Sequence, residues 1–202
     1  MNKFLSYIQY NWVKYLLIII VPLVFWIVVY SDIDQVKYDE CVRILYIGND
    51  LDGVMLQENI SSNINLITNQ ELKYVSVMTY SADEELVYEY LRNRIYSVDI
   101  VIIANDFLNE DLITQIFTPL TLDLRQKFSS DYLLNIGDNS YGMKIALQSN
   151  FYEFYTSEKE ATIFLSQYSL NIGRAYGYGN VQNDSAISIV KYILGGVLDE
   201  TI

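Results

Sequence analysis

Hydrophobic residues are distributed along the chain in two different ways. From residue 12 to residue 30 they form one run, WVKYLLIIIVPLVFWIVVY, in which Lys14 is the only charge. A helix of this length rises about 1.5 Å per residue and reaches roughly across the ~30 Å hydrocarbon core of a bilayer. From residue 41 onwards, short apolar runs alternate with amphipathic stretches. The pattern therefore predicts a transmembrane helix followed by a folded domain.

The charges beside the apolar run predict its orientation. Lys3 and Lys14 are the only charged residues before its end, and acidic residues follow it closely, at Asp32, Asp34, Asp39 and Glu40. By the positive-inside rule, residues 1–11 are a cytoplasmic tail, 31–40 a stalk and 41–202 an extracellular domain. A cleaved signal and a buried soluble helix are the alternatives. No small-x-small site follows the run, which favours a retained anchor in the cell membrane.

The domain begins with the alternation of strands and helices that is typical of an α/β fold. Apolar or β-branched runs at 41–48, 73–80 and 98–104 predict three strands, and the first and third are apolar enough to be buried on both faces. A helix follows Asn49-Asp50, and the Ser81-to-Glu84 capping box begins another. Short links between strand and helix predict a parallel sheet with right-handed crossovers and the strand order 2-1-3.

Later elements have weaker patterns. Asn105-Asp106 is predicted to cap a helix, and Pro119 to begin another; Asp184 is predicted to cap the last helix, which stops at Gly195-Gly196. Two further strands are predicted at 142–147 and 161–168, and a turn at 173–180.

Charge and composition exclude several classes of function. All 25 acidic residues follow residue 31, against 11 basic ones, so the outer domain carries a net charge of about −14. Such a domain repels nucleic acid and anionic lipid, and it attracts cations or basic partners. The chain has no histidine and one cysteine, Cys41, which excludes His-dependent catalysis and disulfides. We expect Cys41 to be buried in the first strand, and we expect neither a cofactor nor a metal.

The order of these elements resembles that of extracellular solute-binding proteins with the type II periplasmic-binding fold. The similarity lies in these phrases: VRILYIGND, DIVIIANDFL with the turn TPL, YGMKIAL and SAISIVKYIL. The resemblance implies a two-lobed α/β binder that delivers a solute to an ABC transporter. Too few residues separate Asn105 from Asp184 for a full second lobe, so that lobe is predicted to be reduced. The transmembrane anchor is a second departure from the family.

The predicted binding site lies where the crossovers diverge, at the carboxyl ends of the first and third strands. Asn49, Asp50, Asn105 and Asp106 follow those strands and offer acceptors for an ammonium or amide group. The alternative is that these residues are ordinary helix caps. In the sequence GYGYGN, Tyr176 and Tyr178 offer rings for a sugar or a cation, or lie in a simple turn.

These features favour a non-enzymatic, membrane-anchored binding or interaction domain. We expect it to be an accessory subunit of a transport-related membrane complex, with a membrane protein as its partner. One alternative is a receptor that passes a cationic or amide-bearing solute to an ABC transporter. A carboxylate-dependent extracellular hydrolase is a further alternative, although nothing in the sequence places two acids at a working separation.

Overall fold

The computed structural model describes residues 12, 14, 16–26, 40–68, 72–81, 84–146, 149–156, 160–169, 171 and 184–195. The chain divides into two compact units, Met1–Lys37 and Tyr38–Ile202. The predicted membrane helix, 12–30, falls within the first unit, and the predicted α/β domain, 41–202, falls within the second.

In the first unit, residues 12, 14 and 16–26 are helical. Their large apolar side chains are all exposed, from 41% at Leu16 to 68% at Ile18. Within the part of the chain that the structure describes, no helix combines the length and the apolar character needed to cross a membrane. The predicted span over residues 12–30 is therefore not supported by the structure.

The second unit is built on one six-stranded mixed sheet with the order β2-β1-β3-β6-β5-β4. Strands β2, β1 and β3 run parallel, which confirms the predicted 2-1-3 order. Strand β6 is antiparallel to β3, and β5 and β4 follow as an antiparallel hairpin. The strands are β1 Cys41–Ile47, β2 Tyr74–Tyr80, β3 Ile100–Ala104, β4 Leu133–Ile136, β5 Asn139–Lys144 and β6 Ala161–Leu165.

Six helices of this unit lie within the described residues. They are α1 Gly53–Ser62, α2 Ile64–Ile67, α3 Glu84–Arg94, α4 Glu110–Ile116, α5 Leu122–Gln126 and α6 Ser185–Ile193. Alternate residues of β1 pack against helices on opposite faces of the sheet. Ile44 and Tyr46 belong to the same buried cluster as residues of α1 and α6, whereas Leu45 and Ile47 pack with residues of α3 and α4. The near-continuous apolar run of β1 is thus required by burial on two sides.

The segment between Asn105 and Asp184 extends the sheet. Strands β4, β5 and β6 all come from this segment. Within the described residues they belong to the same sheet as β1, β2 and β3, rather than to a separate second lobe. The predicted strand at 142–147 begins earlier, at Asn139, because it pairs with β4, which the sequence pattern did not predict. Gly137, with φ +58°, lies in the turn between them.

Three predicted helix starts are displaced by a few residues. Asp52, not Asn49-Asp50, caps α1, and its carboxylate accepts from the N–H groups of Val54 and Met55. Asn109, not Asn105-Asp106, caps α4 through a 2.7 Å bond from the N–H of Leu112. Thr121 caps the helix that was predicted to begin at Pro119.

Asp184 does stand before α6, but its side chain makes no capping hydrogen bond. Its carboxylate instead pairs with Lys127 at 2.6 Å. The helix ends before Gly195, whose φ of +78° is typical of a C-terminal stop. Cys41 is a free, buried cysteine at the start of β1, as predicted.

Candidate binding site at the carboxyl edge of the sheet

The predicted site lies at the carboxyl edge, the end of the sheet at which β1, β2 and β3 finish. Ile47 in β1 is level with Ile103 in β3, and the two strands are neighbours. The loop 48–50 and the pair Asn105-Asp106 therefore leave adjacent strands at the same edge, as predicted. Their side chains, however, take part in contacts that the sequence did not predict.

Gly48 makes the sharp exit from β1 possible. Its φ of +153° is a conformation that favours glycine, and a Cβ atom there would lie 2.2 Å from the hydroxyl oxygen of Tyr46. The Gly48 N–H donates to the carbonyl of Tyr80 at 3.0 Å, which ties the exits of β1 and β2 together. A larger residue would therefore have to move a buried tyrosine.

Asn49 connects the loop after β1 to the residue after β2. It is exposed, and its side-chain oxygen accepts a hydrogen bond from the hydroxyl of Ser81 at 2.5 Å. The capping box predicted from Ser81 thus has a competing partner, since this hydroxyl bridges two loops. Asn49 acts here as a loop connector and does not cap α1.

Asp50 and the residues after it pair with a distant segment of chain. The carbonyl of Asp50 accepts from the N–H of Thr156 at 2.8 Å and from its hydroxyl at 3.1 Å. Leu51 forms an antiparallel bridge with Tyr155, and the N–H of Asp52 donates to the carbonyl of Phe154 at 2.9 Å. The segment 150–156 therefore lies along the loop after β1.

Aromatic rings pack beneath this paired segment. Tyr46 of β1 lies 6.4 Å from Phe151 and 6.1 Å from Tyr155, measured between ring centroids. Phe151 and Tyr155 are themselves 5.1 Å apart, and all three residues are buried. Burial, with the neighbouring Tyr155 hydroxyl, raises the pKa of Tyr46. Tyr46 is therefore a neutral core residue at physiological pH.

Asn105 joins the end of β3 to the beginning of β6. Its side-chain oxygen accepts from the hydroxyl of Thr162 at 2.9 Å, and its backbone N–H donates to the carbonyl of Glu160 at 2.9 Å. Its amide nitrogen also donates to the carboxylate of Glu160, at 3.4 Å. Asp106 follows in a single 3-10 turn and is exposed.

The carboxyl edge is acidic on its outer surface. Among the described residues of this edge, exposed carboxylates lie at Asp52, Asp106, Glu153 and Glu160, Asp50 is half-buried, and Lys144 is an exposed cation. Among the described residues, no group of three or more Cys, Asp or Glu side chains is arranged to hold a metal. The chemistry available at this edge is charge attraction and hydrogen bonding to a basic group. Tyr176 and Tyr178 lie outside the described residues.

The segment 150–156 and its contacts were not predicted from the sequence. Its run FYEFY, from residue 151 to residue 155, carries four aromatic rings in five positions, and this density was the available signal that the segment packs against the core. The predicted site at the ends of the two parallel strands did not include this segment.

A second polar cluster, also unpredicted, lies at the amino edge, where β1, β2 and β3 begin. Asp99 is fully buried. Its carboxylate accepts hydrogen bonds from the backbone N–H of Arg43 at 2.8 Å, from the side-chain amide of Asn171 at 3.0 Å and from the Ser169 hydroxyl. The same Asn171 amide donates to the carbonyl of Cys41 at 2.9 Å. Asp99 thus joins three separate parts of the chain.

The hydrogen bonds around Asp99 oppose the effect of its burial. Burial raises the pKa of this carboxyl, and the donors from Ser169, Arg43 and Asn171 partly offset the rise by stabilising the charged form. The network also reaches α6, because the carbonyl of Asn171 accepts from the Ala186 N–H at 3.1 Å. It is a structural anchor for the chain that follows β6.

Comparison with solved structures yields a weak structural neighbour. No family model matches the chain, and no curated protein matches it in sequence. One solved structure is the galacto-N-biose-/lacto-N-biose I-binding protein of the ABC transporter from Bifidobacterium longum, in complex with lacto-N-biose. It superposes with a TM-score of 0.36 at 15% identity, over 52% of this chain and 28% of that protein's length. A similarity this low carries no argument about this chain's ligand.

Proposed function

We propose that the unit Tyr38–Ile202 is a non-enzymatic interaction domain whose acidic carboxyl edge binds a basic surface of a protein partner. One observation carries the proposal: residues 50–52 pair with residues 154–156 over packed aromatic rings. This pairing and packing occupy the strand ends at which a solute site was predicted from the sequence. The exposed carboxylates remain on the outer side, where a protein surface can reach them.

Membrane attachment is part of the same proposal. The segment 12–30 carries a single charge, and the large apolar side chains described in it are exposed on every side of its helix. A helix that is apolar all round is typical of a lipid environment. We expect residues 1–11 in the cytoplasm and the domain outside the cell. Protease treatment of intact cells should digest the domain and spare an N-terminal tag; a protected domain would contradict this topology.

The binding proposal is tested by purifying the full chain from native membranes in mild detergent and identifying the proteins that co-purify. Surface charge pairs are screened by salt, so the partner should dissociate as the ionic strength rises. The double substitution Asp50→Asn and Asp106→Asn should lower recovery of the partner several-fold. Glu89→Gln with Asp138→Asn removes the same charge from other exposed sites and is the matched control.

The solute-receptor alternative predicts a different result. Calorimetry of the purified full chain with cationic amines and amino acids would then show submicromolar binding that the Asp50→Asn and Asp106→Asn variant loses. Such a result, without a salt-sensitive protein partner, would overturn the proposed function.

A further inference from the structure

The amino edge of the sheet carries exposed cations. Arg92 and Arg94 lie in the last turn of α3, and both are exposed. Lys73 stands just before β2, with 60% of its side chain exposed, and it pairs with Glu40 at 2.9 Å. The N–H of Lys73 donates to the carbonyl of Glu40, which places it beside the start of β1. Because the carboxylate of Glu40 offsets the charge of Lys73, the basic character of this end rests on Arg92 and Arg94.

Large apolar and aromatic side chains are exposed at the same edge. Leu66 is 71% exposed at the end of α2, Tyr74 is 46% exposed at the start of β2, and Tyr96 is 59% exposed just after α3. The ring of Tyr96 packs on that of Tyr168 with 4.3 Å between centroids, which fixes its position. Tyrosine and leucine beside Lys and Arg are the side chains that suit a lipid headgroup region.

The two edges are far enough apart for their charges to act separately. Strand β1 has seven residues, and at ~3.3 Å per residue its ends are about 20 Å apart. The Debye length at physiological ionic strength is only ~8 Å. A charged surface in contact with the amino edge is thus screened from most of the acidic groups of the carboxyl edge.

The direction of the chain indicates which surface the amino edge contacts. The chain enters this unit at the amino edge, since Glu40 directly precedes β1 there. The apolar segment 12–30 ends ten residues earlier, and ten residues extend at most ~35 Å. From these observations we propose that the amino edge rests on an anionic phospholipid surface through Arg92, Arg94, Tyr74 and Tyr96. The proposal rests on the membrane attachment proposed above, and it points the carboxyl edge away from the bilayer.

The test measures which edge of the full chain lies close to lipid. A cysteine replaces Asn93, between the two arginines, or Val54, an exposed residue at the carboxyl edge, and is labelled with a fluorophore. Cys41 stays unlabelled because it is buried, and burial raises the pKa of its thiol. The proteins are reconstituted into phosphatidylcholine vesicles with or without phosphatidylglycerol, and a quencher is attached to a fraction of the headgroups.

We expect several-fold stronger quenching at position 93 than at position 54 in vesicles that contain phosphatidylglycerol. The difference should shrink in phosphatidylcholine alone, at high salt, and in the variant Arg92→Glu with Arg94→Glu. Equal quenching at the two positions, or no effect of the charge reversal, would overturn the proposal.

Vesicle flotation separates this proposal from the proposed function. If the chain floats with vesicles but shows no preference between positions 93 and 54, membrane attachment stands and only the orientation is wrong. If the chain does not float, the attachment fails and the orientation fails with it. The Arg92→Glu and Arg94→Glu variant should still float, because it leaves residues 12–30 unchanged.

Discussion

The two edges of the sheet use polar residues in opposite ways. At the amino edge, Asp99 is fully buried and satisfied by three donors, so its charge serves the interior of the domain. At the carboxyl edge, the backbone of residues 50–52 is paired, whereas the carboxylates of Asp106 and Glu160 remain on the surface. The difference indicates that the acidic side chain of Asp99 stabilises the fold at the amino edge, whereas those of Asp106 and Glu160 are exposed for recognition at the carboxyl edge.

The largest effect is expected from Asp99→Ala at the amino edge. The substitution leaves three donors without their acceptor, and an unsatisfied buried polar group costs ~1–3 kcal/mol. We expect the free energy of unfolding to fall by about 3 kcal/mol or more, measured by circular dichroism on the full chain in detergent. Glu89→Ala, at an exposed position of α3, is the control. A loss equal to that of the control would show that the network contributes little.

Gly48→Ala tests the carboxyl edge with a somewhat smaller expected effect. Backbone strain of this kind costs ~1–3 kcal/mol, and here the added methyl group also meets the buried Tyr46 ring. Gly137→Ala is the matched control, because Gly137 also has positive φ but has open space around it. We expect thermal unfolding to shift further for Gly48→Ala. If the two variants melt alike, the contact between Gly48 and Tyr46 has no role in stability.

Substitutions at the helix caps should have a smaller effect. They distinguish residues that stabilise a helix from acidic residues that are available for recognition. Asp52→Ala and Asn109→Ala should each cost on the order of 1 kcal/mol, because each removes an observed cap. Asp50→Ala and Asp106→Ala should cost less, since Asp50 and Asp106 do not cap these helices. Chemical denaturation of the four variants measures the order, and a reversed order would restore the capping roles predicted from the sequence.

The smallest effect is a pH dependence that belongs to Asp99. A carboxyl whose pKa is raised in the folded state contributes stability below its unfolded pKa, near 3.8, and loses it as the pH rises through the folded value. Asp99→Asn removes this titration. The difference in stability between wild type and Asp99→Asn should therefore shrink as the pH rises across the acid range. A difference that grows with pH would mean that the hydrogen bonds outweigh burial.

The sequence predicted the parallel part of the sheet because burial on both faces leaves a clear signal. The runs at β1 and β3 are apolar at nearly every position, and the 2-1-3 order follows from the handedness of their crossovers. Strand β4 was not predicted, because it is only four residues long and only partly buried. Its partner, β5, lies just beyond a tight turn.

The positions of the candidate site residues were predicted, but their contacts were not. Asn49 and Asn105 do lie at the ends of neighbouring strands, yet Ser81 and Thr162 engage their side chains. These partners are 32 and 57 residues away in sequence, so periodicity in one stretch of chain could not reveal them. The Asp99 network was not predicted for the same reason, because one of its donors comes from Asn171, which is distant in sequence.

The most direct test of the account places a photoreactive amino acid at Val54 or at Asn93 in the full chain and irradiates native membranes. Val54 lies at the carboxyl edge and Asn93 at the amino edge, and both are exposed. The account predicts a salt-sensitive crosslink from position 54 to one protein and lipid adducts from position 93. A protein crosslink from position 93 together with none from position 54 would contradict it.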